Sequence, residues 1–155
     1  MILLDDDVEV GSSIRHHLDA GFKSVVTFGV VDIDLPDGLP ADVHRVDFDA
    51  TVRNAQVTVV NAVIEKVPGQ WVYYCYNTEY IFFPFCEHRA IGEMLAYHTE
   101  ERRDAVLTYV VDLYAGDLHE SPTAVSLDDA YMDKSGYYAL ARKDAQNEFE
   151  ERQLD

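Results

Sequence analysis

The amino-acid sequence predicts an α/β fold with a mainly parallel sheet and helices over both faces. Three observations predict it. Short apolar, β-branched runs alternate with segments of helical spacing from Met1 to Val111, the order that yields crossover connections and a parallel sheet. The stretch Trp71 to Pro84 is apolar and aromatic on both sides of Asn77, Thr78 and Glu79, as expected of a buried strand that ends in polar side chains. A length of 155 residues with 48% hydrophobic content fits one domain able to bury a substantial core.

Met1 to Leu4 is a short apolar strand, followed by the acidic loop Asp5, Asp6, Asp7. Ser12 or Ser13 suits the N-cap of a helix from Ile14 to Ala20, which Gly21 ends in the left-handed conformation. Ser24 to Phe28 is rich in β-formers and reads as the second strand. Pro36, Asp37, Gly38 and Pro40 make Val30 to Asp42 a loop, and the alternation over Val43 to Phe48 predicts a third strand. Thr51 to Lys66 mixes strand propensity with helical spacing; its length decides for a helix, which Pro68 and Gly69 stop.

Within Trp71 to Pro84 two readings stand. Asn77 and Thr78 form either the turn of a β-hairpin or the polar mouth of a buried strand. Downstream, Ile91, Met94, Leu95 and His98 recur at helical spacing between Ala90 and Arg102, and Ala105 to Val111 reads as a further strand. Gly116 to Asp129 is loop-like, Tyr137 to Arg142 reads as a short strand, and Ala145 to Leu154 as an acidic helix. That charged segment ends without a closing turn, the pattern of a chain that is part of a longer protein.

Twelve Lys and Arg against 29 Asp and Glu give a formal charge of −17. Such a surface repels phosphate backbones and anionic headgroups, so neither nucleic acid nor peripheral membrane is an expected partner. A small polyanion is still admissible where a cation or a helix N-terminus offsets the local field. Cys75 and Cys86 lack zinc or redox spacing and read as reduced thiols of a cytoplasmic protein. No apolar run reaches the ~20 residues of a membrane helix, and the N-terminus lacks the basic start of a signal peptide.

The pieces in order resemble the glycosyltransferase family 2-like proteins. HHLDAGFKSVVTFG (His16 to Gly29) resembles that family's passage from first helix to second strand. NAVIEKVPGQWVYYCYNTEYIFFPF (Asn61 to Phe85) resembles its later passage, in which a helix ends at Gly, a Trp opens a buried strand and an acidic DxD-like motif closes it. The helix around Ile91 to Leu95 and the segment Asp104 to Asp117 follow in the family's order. The resemblance implies a single GT-A-like (Rossmann-like) α/β/α sandwich over residues 1–155, transferring a sugar from a nucleotide-sugar donor to an acceptor it does not name. It also implies a divalent ion, Mg²⁺ or Mn²⁺, that neutralises the departing diphosphate through oxygen ligands.

Here the motif departs from the family's. Aligned on Trp71, its two aspartate positions fall on Tyr76 and Thr78, and only the following acid survives, as Glu79. A one-residue shift gives Asn77 and Glu79 as the metal ligands, with less negative charge and weakened or absent metal binding. By the same resemblance Asp5, Asp6, Asp32, Asn77 and Glu79 would line the nucleotide-sugar. Loss of that activity would leave a non-catalytic GT-A-like binding or interaction module.

Asp112, after the apolar run from Ala105, is the candidate catalytic base for an acceptor hydroxyl, or else a carboxylate capping a turn near Gly116. His16 and His17 are adjacent on a helix and point to different sides, so they cannot share a metal in the manner of an i, i+4 pair. They and the other histidines read as satisfied or surface residues. Tyr73, Tyr74, Tyr76, Tyr80, Phe82, Phe83 and Phe85 read mostly as core. Apolar surface left by a missing C-terminal part would drive self-association, so an oligomer is admissible.

Overall fold

The computed structural model describes residues 1–132 and the backbone of 140–142 and 150–152. It divides into two compact units, Met1–Leu107 and Thr108–Asp155.

The first unit is α/β. Its strands are β1 (Ile2–Leu3), β2 (Val25–Gly29), β3 (Val43–Asp47) and β4 (Cys75–Tyr76), and its helices are α1 (Val10–Asp19), α2 (Ala55–Lys66) and α3 (Ile91–Glu100). All four strands are parallel, in the order β3-β2-β1-β4, with Ile2 opposite both Thr27 and Cys75. The chain builds outward from β1 through β2 to β3, and α2 then carries it back past β1 to β4. The direction of winding therefore reverses between β1 and β4.

Alternation along β1 assigns the two faces. Ile2 and Leu4 pack with Val10, Ile14, Val25, Ile33 and Cys75, whereas Leu3 packs with Ala50 and Ala55 on the other side; successive side chains on a strand point to opposite faces. Helix α1 buries Val10, Ser13, Ile14 and His17, one stripe at helical spacing. A third cluster joins Ile81, Phe83 and Ile91 with Phe22, Met94 and Leu95. Gly21 takes φ +95° as the sequence predicts, and a Cβ there would lie 2.7 Å from that of Ala90. The end of α1 thus abuts the start of α3, where Ile91 N–H donates to Ala20 O at 2.8 Å.

Several expectations are corrected. Helix α1 starts four residues before Ile14, with Glu9 as N-cap in the left-handed region at φ 52°. Ser12 and Ser13 do not cap it, because their hydroxyls serve other partners: Ser12 donates to Glu9 O at 2.8 Å, and Ser13 Oγ accepts from Thr78 N–H at 3.0 Å. Asn77 and Thr78 form a turn but no hairpin, since β4 pairs in parallel with β1. The ladder in this stretch is two residues long, and Tyr74, Phe82 and Phe85 are exposed where core was expected; burial by alternation lapses once the strand ends.

Residues 105–113 run between α3 and β5 outside every described strand. An apolar, β-branched run is a strand only where a neighbour supplies its ladder bonds. In the second unit β5 (Tyr114–Ala115) pairs antiparallel with β6 (Ala130–Tyr131), and the rings of Tyr114 and Tyr131 stack. Strand β7 (Leu140–Arg142) falls inside the strand expected over 137–142. It pairs antiparallel with β8 (Glu150–Arg152), so cross-strand pairing overrides the helix propensity of residues 150–152. Residues 137–139, 145–149 and 153–154 of those two expected elements lie outside the described residues. Among the described residues no helix is long and apolar enough to cross a membrane.

Candidate functional site

In an open parallel sheet the loops at the carboxyl ends of the strands diverge where the winding reverses, leaving a crevice for a ligand. Here the winding reverses between β1 and β4, whose following loops are joined by hydrogen bonds. The first carries Asp5 and Asp6, the second Asn77, Thr78 and Glu79. Asp32 follows β2, the neighbour of β1, in a turn closed by Ile33 N–H to Val30 O at 3.1 Å. Five of the six residues singled out from the sequence therefore follow the carboxyl ends of adjacent strands in the first unit. Asp112 belongs to the second unit.

Asn77 is only 3% exposed, and its amide is fully engaged. Its Oδ1 accepts from Asp5 N–H at 3.2 Å, while Nδ2 donates to Asp6 Oδ1 at 2.5 Å and Val8 O at 2.9 Å, with Asp6 O at 3.5 Å. Asp6 Oδ1 also accepts from Val8 N–H at 2.9 Å. One side chain at the end of β4 thus ties down the whole β1–α1 loop. Glu79 Oε2 accepts from Tyr76 N–H at 2.8 Å, which closes the turn after β4. Partial desolvation raises the Asp5 carboxyl above its ordinary range, and the Asp6 charge adds to the effect.

A second set of bonds joins this turn to α1. Ser12 Oγ lies 2.8 Å from Tyr80 Oη, and its single proton is shared between the Glu9 main-chain carbonyl and carboxylate. His16 Nε2 is 2.8 Å from Ile81 O; that carbonyl can only accept, so Nε2 carries the proton. Beneath them His17 is 3% exposed, with Nδ1 2.7 Å from Ser13 O, Nε2 3.6 Å from Cys75 Sγ, and its ring stacked on Tyr73. Burial lowers its pKa to about 4, so His17 is neutral. Burial also pushes the Cys75 thiol up to about 12, which makes it a packing group and no nucleophile.

Beside the β1–α1 loop lies a cleft of about 440 Å³, bounded by Asp7, Glu9 and the first turn of α1 with Arg15, and across from them by Asp34, Leu35 and Pro36. Gly11 keeps it open, for a Cβ there would come within 2.8 Å of Pro36 Cγ. The far wall is held by Arg45 on β3, whose guanidinium donates to Ile33 O at 2.6 Å and to Val30 O. Sequence reasoning missed Ser12, Ser13, Arg15, Arg45 and Tyr80. The two serines resembled caps, and Arg45 was one polar position in a strand alternation. Gly11 beside two serines was the available signal that the chain comes close there.

Comparison with family models, curated proteins and solved structures finds no match. The fit of a divalent ion therefore rests on the donor set of this chain. Asn77 offers it poorly: its oxygen already receives Asp5 N–H, and its nitrogen sits where Asp6 and Val8 turn their oxygens. Among the described residues no group of three His, Cys, Asp or Glu side chains is placed to hold a metal.

Proposed function

We propose that the chain is a glycosyltransferase-like domain of GT-A type that takes a nucleotide-sugar donor at the carboxyl edge of its parallel sheet. The cleft at the first turn of α1 carries this reading. A helix N-terminus presents main-chain N–H groups and a positive dipole end to an anion. Arg15, one helical turn further on, adds a guanidinium with the fork geometry that suits a phosphate. In a chain of charge −17, these groups are the ones available to offset Asp7, Glu9 and Asp34, which line the same cleft, so diphosphate binding requires that they, or an added cation, outweigh three carboxylates. Within this reading Asp5, Asp6, Asp32 and Glu79 stand along the same carboxyl edge, outside the lining of the cleft itself.

A specific observation favours a second reading, that of a GT-A-like module that binds without transferring. Asn77 and one oxygen of Glu79 are committed to the main chain, and a carboxylate that closes a turn is less available to a cation that would neutralise a departing diphosphate.

Calorimetric titration with uridine and guanosine diphosphates, with and without Mn²⁺, tests donor binding. Arg15→Gln should weaken a bound diphosphate roughly tenfold, the loss of one charge-assisted contact. Absence of binding at millimolar nucleotide ends the transferase reading and leaves a degenerate scaffold or interaction module. Binding with no release of sugar from any nucleotide-sugar leaves the module alone.

A further inference from the structure

We infer that the amide nitrogen of Asn77 does in this chain the work of a bound cation, so that the β1–α1 loop is ordered without divalent metal. This inference stands on the loop geometry and is independent of the sugar-transfer reading.

Three oxygens converge on Asn77 Nδ2: the carboxylate and carbonyl of Asp6 and the carbonyl of Val8. An all-oxygen cage with one carboxylate is the environment a hard cation selects. Here an NH2 group fills it, bearing partial positive charge and two protons to share among the oxygens. Its orientation is fixed from the other end, because the amide oxygen receives Asp5 N–H. Reversing the amide would face oxygen to oxygen at 2.5 Å and nitrogen to N–H. The group is buried and fully partnered, so exchange for a solvated ion brings no gain.

The arrangement makes a sharp prediction for Asn77→Asp. The change is isosteric, but it sets a carboxylate oxygen against Asp6 Oδ1 at hydrogen-bond distance. Two carboxylates that close cannot both ionise unprotected. The pair must take up a proton, separate and release the loop, or admit a cation between them.

The experiment follows thermal unfolding of the whole chain in EDTA and in millimolar Ca²⁺, Mg²⁺ or Mn²⁺ at matched ionic strength, with amide exchange over residues 5–9 measured in parallel. The wild-type chain should melt at one temperature and exchange at one rate in every condition. Asn77→Asp in EDTA should melt roughly 5 °C lower or more and recover in at least one of the ions. Asn77→Ala should fall similarly and recover in none.

Should Asn77→Asp not fold at all, Asp6→Asn decides. Asp6 is exposed, and the substitution removes only the charged acceptor, so exchange over 5–9 should quicken equally with and without metal. A wild-type chain whose loop 5–9 is slowed by a divalent ion overturns the inference. So does an Asn77→Asp chain as stable in EDTA as the wild type.

Discussion

Acidification should weaken this fold through His17, by about 2 kcal/mol between neutral pH and roughly pH 5. His17 is enclosed by Tyr73, Phe22, Ser13 and Cys75. Its Nδ1 proton goes to Ser13 O, a carbonyl with no proton of its own, which leaves Nε2 as the acceptor toward the Cys75 thiol. Protonation at Nε2 would put a charge beside a thiol that holds its own proton and is buried. Burial is the largest cause of the fall from 6.5 to about 4, with the His16 charge and the N-terminal ammonium acting in the same direction.

Because the folded-state value is the lower one, the unfolded chain binds the proton first. The stability contributed by a neutral His17 is complete above the unfolded value of 6.5 and drains away as the pH falls toward about 4. The whole interval corresponds to about 3 kcal/mol, of which linkage removes about 2 kcal/mol by roughly pH 5. That is a large part of the stability of an ordinary domain. Other groups titrate in the same range, so the quantity to read is a difference.

His17→Gln provides it. Its amide can still donate to Ser13 O and has no proton to gain. Urea unfolding of the two chains, followed by circular dichroism from slightly alkaline pH down to roughly pH 5, should find the variant less stable at the alkaline end. The gap should then narrow by about 2 kcal/mol toward the acid end. Parallel pH profiles would refute the reasoning, as would an imidazole resonance of His17 that titrates with an ordinary midpoint.

Two further outcomes are expected. In the native chain at mildly alkaline pH a thiol reagent should modify Cys86, which is half-buried, and spare Cys75, which is buried with its pKa near 12; denaturant should expose both, and rapid native labelling of Cys75 would contradict the packing. Gly21→Ala should lower the melting temperature by roughly 5 °C or more, since it combines a left-handed backbone, worth about 1–2 kcal/mol, with a contact of 2.7 Å to Ala90. An unchanged melting temperature would mean that α1 and α3 do not meet as described.

The α/β class was legible because burial on both faces leaves a trace in the sequence. Ile2, Leu3 and Leu4 form an unbroken apolar run, and the segment from Ile14 up to Gly21 reads as helix. The beginning of α1 was not legible, because its cap is a glutamate in a left-handed conformation, and the residues with capping chemistry are occupied elsewhere. The β4 region misled for a related reason. Its length in aromatics promises a long strand, yet a two-residue ladder suffices once Asn77 and Glu79 bind main-chain groups in its place. Sequence reasoning listed Asp5, Asp6, Asp32, Asn77 and Glu79 through the family resemblance, and the parallel sheet brings all five to its carboxyl edge. That reasoning did not reveal which of them bear inward bonds, for hydrogen-bond partners separated by some seventy residues leave no local pattern. The run Ala105 to Val111 shows the converse limit: propensity marks what could be a strand and is silent about who would pair with it.

The two bonds from Arg45 to Val30 and Ile33 have a consequence for recognition. A wall fastened to the sheet by a guanidinium fork is already in its final position before any molecule arrives. A ligand entering between it and α1 would forgo the entropic penalty of ordering a loop, which is how preorganised sites gain affinity. The same anchorage removes the means of adapting to a wider guest. An opening of this kind would select by size and contour, set from an edge strand that is no part of its lining.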